Sequence, residues 1–182
     1  MKAEYLETVR LDLKPLDSSF LSQDYVDWMN DTEVNKYLES GGDYTLEKLS
    51  NFLKQVESNP ILFWAIVIKD SQKHIGNIKI DPISHRNRVG EYGILIGDKE
   101  EWGKGYAKEA SQMVIDFCFS DKVDLRKITL GVVSENIDAI QLYMKLGFIQ
   151  EGLLKIHAIH EGKWCDVMRM AAFNPKLKVE SK

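Results

Sequence analysis

Val89-Gly-Glu-Tyr-Gly-Ile-Leu-Ile-Gly-Asp-Lys-Glu-Glu-Trp-Gly-Lys-Gly-Tyr-Ala107 is the stretch that decides the fold of this chain. An apolar strand, Val89 to Ile96, runs into a charged turn, then a Gly-rich turn, then a helix from Tyr106 to Phe119. That order aims the unpaired backbone N–H groups of a helix N-terminus at an anion, and a pyrophosphate fits. Gly103 and Gly105 let the backbone approach such a ligand closely and adopt dihedrals that a side chain forbids. Two familiar phosphate loops are excluded by spacing. Five residues separate Gly97 from Gly103, and Gly105 rather than Ser or Thr follows Lys104, so the loop is not a Walker loop. A dinucleotide fingerprint wants Gly at position 108, which is Lys108.

Around this stretch the elements fall into a consistent order. Val9 to Leu16 alternates Val9, Leu11 and Leu13 against Arg10, Asp12 and Lys14, as a strand does. Asp17 and Ser18 are placed to cap a helix carrying Phe20, Leu21, Tyr25, Trp28 and Met29. A short helix is expected from Asn30-Asp31-Thr32 through Val34, Tyr37 and Leu38, broken by Gly41-Gly42. A further helix follows Thr45 with Leu46, Leu49, Phe52, Leu53 and Val56 on one face. Strands at Ile61 to Lys69 and His74 to Asp81 flank a hairpin turn at Asp70-Ser-Gln-Lys73. After the strand and helix already named come a strand at Lys127 to Val133 and a helix from Asn136 to Leu146, stopped by Gly147. Phe148 to Ala158 and Lys163 to Phe173 form a terminal hairpin around Glu161-Gly162, and the polar tail from Asn174 is expected to fray. Joining the strands at 89–96 and 127–133 through a helix forces them parallel, in an otherwise mostly antiparallel mixed sheet of about seven strands.

Composition narrows the class. The 182 residues are 44% hydrophobic and 29% charged, with a net charge of −4. This is the make-up of a soluble globular chain that fits a single domain, 1–182. No apolar run approaches the ~18–20 residues of a membrane span, and Met-Lys-Ala-Glu-Tyr lacks the apolar core of a signal peptide. No membrane association and a cytoplasmic location are therefore expected. Beyond His85-Arg-Asn-Arg88 there is no basic face to neutralise nucleic-acid phosphates, and a mildly acidic chain favours cationic partners such as amines. Cys118 and Cys165 read as buried core thiols. The spacing of His157, His160 and Cys165 matches no zinc pattern, so no metal is expected.

Trp102-Gly-Lys-Gly-Tyr-Ala107 resembles the acetyl-CoA pyrophosphate loop of the GNAT acyltransferase superfamily, Gln/Arg-x-x-Gly-x-Gly/Ala, with Gly105 and Ala107 at the small positions. Trp102 stands where Gln or Arg is commoner, as in the branch that holds the ribosomal-protein alanine N-acetyltransferases. The run Ile96-Gly-Asp-Lys99 is similar to related amino-sugar enzymes. Thr8-Val-Arg-Leu resembles the family's Thr-x-Arg-Leu opening, and Gly162-Lys-Trp-Cys-Asp166 its Gly-x-x-x-Asp strand, so the likeness spans nearly the whole chain.

The resemblance implies a GNAT fold and direct acetyl transfer from acetyl-CoA, as co-substrate, to a primary amine. It also allows a homodimer. Trp102, Gly103, Lys104, Gly105, Tyr106 and Ala107 would hold the pyrophosphate, with Lys104 either touching a phosphate or solvated. A bulge at the end of the strand would splay it from its parallel neighbour, freeing backbone groups of Ile94, Leu95 and Ile96 to pair with the pantetheine amides and to polarise the thioester carbonyl. Asn136 would contact the pantetheine arm. Tyr143, seven residues on and on the same helix face, would protonate the leaving thiolate. Glu91 is the candidate general base, although it lies eleven residues before Trp102, where relatives often have ten. The residue-level alternatives stay open: an interior aromatic for Tyr143, an N-cap for Asn136, a salt-bridge partner for Glu91. Trp28, Tyr37, Glu39, Tyr44, Arg86 and Trp164 are candidates to line the acceptor side. The rival reading is a non-catalytic acyl-CoA binding or sensing module on the same fold.

Overall fold

The computed structural model describes residues 1–38, 41–160 and 162–177. The elements are β1 (Leu6–Glu7), β2 (Leu11–Pro15), α1 (Gln23–Asn30), α2 (Leu46–Ser58), β3 (Leu62–Ile68), β4 (His74–Ser84), β5 (Val89–Ile96), α3 (Tyr106–Phe119), β6 (Lys127–Val133), α4 (Ile137–Lys145), β7 (Ile149–His160) and β8 (Lys163–Phe173). The eight strands follow the order β1-β2-β3-β4-β5-β6-β8-β7. β5 and β6 pair parallel, while β1 with β2, β2 with β3, β3 with β4, β6 with β8 and β7 with β8 are antiparallel. The parallel crossover is thus where the sequence places it. The two-residue strand β1, too short to show alternation, raises the expected number of strands by one.

Contacts gather the chain into two compact units. The first holds Met1–Asp81 and Gly93–Met113, the second Pro82–Tyr92 and Val114–Lys182. In the first unit, α1 and α2 bury Tyr25, Val26, Trp28, Met29, Leu49, Leu53 and Val56 against Ala65 and Val67 of β3. Their apolar spacing of three and four residues puts those side chains on one helical stripe. Ser22 starts α1 by accepting the Tyr25 amide, and Thr45 starts α2 by accepting that of Lys48. In the second unit the core is Val114, Phe117 and Cys118 of α3 with Leu125, Ile128, Leu130, Phe148, Met170 and Ala171. Both cysteines are free and buried.

Two expectations near the N-terminus are corrected. Asp17 caps a short 3-10 turn at Ser18–Phe20 instead of α1, so Phe20 and Leu21 fall outside that helix. No helix forms over 31–38. The Asp31 carboxylate takes the amides of Glu33 and Val34, Asn30 brackets the backbone of Tyr44, and Asn35 donates to the Met29 carbonyl. Short polar side chains that capture nearby backbone groups compete with the helical ladder, and here they win.

Candidate active site

The loop after β5 belongs to the first unit. The amides of Gly97 and Asp98 both donate to the carbonyl of Ile75, so two residues face one. The two amides, just past the end of β5, thus share one carbonyl of β4, as at a bulge. Trp102 sends its indole N–H to the Ile96 carbonyl at 2.8 Å, tying the loop to the strand end. That carbonyl is therefore engaged inside the protein. Gly103 has φ +73° and Gly105 φ +83°, left-handed values that a side chain disfavours. From Gly103 to Lys108 no backbone amide donates a hydrogen bond among the described residues, and the ladder of α3 begins with the Glu109 amide on the Gly105 carbonyl. A run of such donors at a helix N-terminus is the physical requirement for holding an anion.

Lys104 is held by Glu101 at 2.9 Å, and that hydrogen bond is the main reason its pKa is raised. On the other side of the loop stands a group that the sequence reading missed. The Arg10 side chain donates from Nη1 to the Lys104 carbonyl (3.0 Å) and from Nε to Glu109 (2.7 Å), and its guanidinium lies 4.4 Å from the centre of the Tyr106 ring. Glu109 also accepts the Thr8 hydroxyl at 2.6 Å and the Arg10 amide at 2.9 Å. Partial burial pushes this carboxyl up, but the hydrogen bonds from Thr8 and Arg10 outweigh it and hold the pKa below the usual value. The Thr8-x-Arg10 motif was visible as a resemblance. An acid in the first turn of a helix meant to receive an anion was the signal that it needed a cation nearby.

In the second unit β5 pairs with β6 through Val89–Lys127, Gly90–Ile128 and Glu91–Thr129. Glu91 is bound by Arg169 of β8 in a two-pronged ion pair, Nη1 to Oε1 and Nη2 to Oε2, each at 2.8 Å. Oε2 also accepts the Thr129 hydroxyl. Gly131 clears the path for Arg169, since a Cβ there would lie 3.0 Å from Nη1. Four lone-pair directions are available on a carboxylate; among the described residues three are used and one, on Oε1, stays open. Glu91 also lines a shallow open groove of about 310 Å³ with Pro82, Ile83, Ser84, Val89, Gly90 and Thr129.

Alternation along β5 turns Tyr92 to the opposite face, where it is buried and packs edge-on to Tyr143 with ring centres 5.6 Å apart. Phe148 lies 5.9 Å from Tyr143, also ring to ring. This apolar enclosure pushes the Tyr143 phenol up to about 12, because burial penalises the phenolate. Its hydroxyl has no hydrogen bond among the described residues. Asn136 caps α4, its side-chain oxygen accepting the Ala139 amide at 3.3 Å, and its side-chain amide has no acceptor among the described residues. Of the residues considered for the acceptor side, Trp28 is a core residue, its ring seated where a Cβ on Gly97 would stand. Trp164 is 70% exposed and Arg86 is exposed. Tyr44 packs partly buried against the first unit's core, and Glu39 lies outside the described residues. Among the described residues no helix is long and apolar enough to cross a membrane.

Comparison with known proteins gives one consistent answer. A family model described as an acetyltransferase (GNAT) domain matches residues 10–149. The uncharacterised N-acetyltransferase p20 of Bacillus licheniformis is 30% identical over 174 residues, 90% of this chain and 93% of that protein. The spermidine N(1)-acetyltransferase of Vibrio cholerae is 34% identical over 111 residues, 60% of this chain and 63% of that one. A crystal structure of the V. cholerae spermidine N-acetyltransferase in complex with CoA and spermine matches with a TM-score of 0.83 at 26% identity, covering 93% of this chain and 98% of that one. A ribosomal-protein-S5-alanine acetyltransferase from Vibrio fischeri shares the fold, with a TM-score of 0.79 at 23% identity over 97% of this chain and 100% of that one. The strand order, the parallel pair and the family match agree: the chain belongs to the GNAT family of acetyl-CoA-dependent N-acetyltransferases.

Proposed function

We propose that this enzyme seats the pyrophosphate of acetyl-CoA on the amides of the 102–107 loop and passes the acetyl group directly to a primary amine. The observation that carries this reading is the row of amides from Gly103 to Lys108 with no hydrogen bond among the described residues. Asn136 would donate its side-chain amide to the pantetheine arm, and backbone groups of Ile94 and Leu95, with the Ile96 N–H, would meet the pantetheine amides. Within the family we place the chain with the ribosomal-protein alanine and amino-sugar N-acetyltransferases, on the strength of Trp102 and the Ile96–Lys99 run.

In the proposed reaction the amine lone pair attacks the acetyl carbon, and a backbone N–H near the end of β5 steadies the oxyanion. The C–S bond then breaks with its electron pair on sulfur. Tyr143 supplies the proton that the sulfur takes up. With a pKa of about 12 the phenol is fully protonated at neutral pH, but it is a weaker acid than a thiol, whose ordinary value is about 8.5. Its O–H therefore works as a hydrogen bond that strengthens as charge grows on sulfur, and the uphill transfer to the thiolate is drawn to completion by reprotonation of the phenol. The proton lost by nitrogen goes to the open lone pair of Glu91 Oε1, directly or through one water, and the phenol is reprotonated from solvent. No enzyme nucleophile enters, in keeping with a Cys118 thiol that burial holds at about 12.

The acceptor is an amine-bearing small molecule or a protein N-terminus, which the net charge of −4 favours as a cation. A panel of polyamines, amino sugars and alanine-terminated peptides with acetyl-CoA, followed by release of free thiol, tests the reading. Turnover of at least one amine supports it. CoA binding with no turnover of any amine would favour an acyl-CoA sensing module instead.

A further inference from the structure

The loop that receives the pyrophosphate in the reading above contains two glycines, and such a loop has a weakness. The peptide between Lys104 and Gly105 is planar and trans, so its carbonyl oxygen and its N–H point to opposite sides. A glycine on the far side of that peptide offers little resistance to a flip. Flipped, it would present a carbonyl oxygen to the phosphate instead of an N–H. Something must hold the plane in one orientation.

Resting on that reading, we infer that Arg10 is the residue that sets this orientation. It acts as a positioning residue for acetyl-CoA from the turn between β1 and β2, 94 residues away in sequence. Its Nη1 donates to the Lys104 carbonyl at 3.0 Å, which fixes the Gly105 N–H on the side away from Arg10. The guanidinium cannot drift, because Nε and Nη2 both bond Glu109 Oε2 at 2.7 Å. Glu109 is itself held by the Thr8 hydroxyl and the Arg10 amide on Oε1. Tyr106 stacks on the guanidinium at 4.4 Å, and its Nη2 lies 3.6 Å from where a Cβ on Gly105 would stand. Arg10 thus fills the side of the loop opposite the Gly105 N–H. A fixed donor array needs no rearrangement when the ligand arrives, and that saving appears as affinity.

Arg10 has a second effect that must be separated from the first. It neutralises Glu109, an anion in the first turn of α3 where a phosphate would otherwise be repelled. The test therefore uses Arg10→Gln, Arg10→Lys and the double variant Arg10→Gln/Glu109→Gln, with CoA binding read by calorimetry. It also compares kcat/KM for acetyl-CoA with that for S-acetylpantetheine, which lacks the pyrophosphate, using an amine accepted in the panel.

Orientation predicts that Arg10→Gln and the double variant both raise the Kd for CoA about tenfold, with kcat/KM for S-acetylpantetheine unchanged. Arg10→Lys, whose ammonium cannot span both Glu109 and the Lys104 carbonyl, should also weaken CoA several-fold, and it serves alone if the glutamine variants do not fold. Full recovery of affinity in the double variant would overturn the inference in favour of simple charge neutralisation. Equal losses with both thioesters, or wild-type affinity in every Arg10 variant, would overturn it as well. Gly105→Glu separates this from the parent reading. If Gly105→Glu abolishes CoA binding while the Arg10 variants bind normally, only the role of Arg10 falls; if Gly105→Glu also binds normally, the pyrophosphate reading falls with it.

Discussion

Each unit of the molecule contains a glutamate held by a threonine and an arginine, the arginine meeting one carboxylate oxygen in the first and forking across both in the second. In the first, Thr8 and Arg10 hold Glu109; in the second, Thr129 and Arg169 hold Glu91. They also differ by one hydrogen bond. The Arg10 amide fills the last acceptor direction on Glu109, and among the described residues no amide does so on Glu91. Glu109 is closed and can only hold structure in place, whereas Glu91 keeps one lone pair open beside an open groove. Shared residue types therefore do not imply a shared job. The count of engaged lone pairs separates an anchor from a candidate base.

The largest expected effect falls on the side of the anchor. Gly105→Glu adds a strained side chain and a negative charge where the amides should meet phosphate, and calorimetry should show the affinity for acetyl-CoA reduced by more than ~10²-fold. Unaltered affinity would leave the closed trio with nothing to hold. On the other side, Tyr143→Phe should keep acetyl-CoA affinity and lower kcat by about 10²-fold, as loss of a proton donor does. Wild-type turnover, with chemistry limiting the rate, would remove Tyr143 from the reaction.

Glu91→Gln tests the open lone pair itself. If Glu91 takes the amine's proton, the variant's deficit in kcat/KM should be greatest at low pH, where the acceptor is mostly ammonium, and should shrink as pH rises and solvent supplies free amine. A raised KM with unchanged kcat would make Glu91 a binder of the cationic acceptor. Loss of melting temperature alone would make it a second anchor like Glu109. The smallest effects come from the threonines: Thr8→Val and Thr129→Val should each cost about 1 kcal/mol of stability, with only the latter changing the pH profile of the reaction. Glu109, whose pKa is lowered in the folded protein, should contribute stability that is present above its unfolded value of about 4.3 and is lost as pH falls through the lower folded value. Acid unfolding of Thr8→Val should accordingly begin at a higher pH than in the wild type.

Much of this was legible in one dimension. β5, α3, β6 and β8 have the bounds that the sequence suggests, because apolar periodicity marks each of them and a glycine marks one end of β5, α3 and β8 (Gly97, Gly105 and Gly162). The loop was readable for a similar reason, since positive φ at positions 103 and 105 requires the residue type found there. Where side chains compete with the backbone, as Asn30, Asp31 and Asn35 do, apolar spacing gave a helix that does not form. The two arginines were invisible as partners. Arg10 and Glu109 are 99 positions apart, and Glu91 and Arg169 are 78 apart. No periodicity reports such pairs, and only the fold brings them together. The candidate site was thus readable where chemistry lies in the backbone, and hidden where it depends on which charge meets which.

The most direct test is a titration with CoA followed by the backbone amide resonances of Gly103 to Lys108. If those amides hold the pyrophosphate, they should move more than any other group of amides in the first unit, and pantetheine, which lacks phosphate, should leave them in place. Saturation with CoA while these amides stay unshifted would contradict the account.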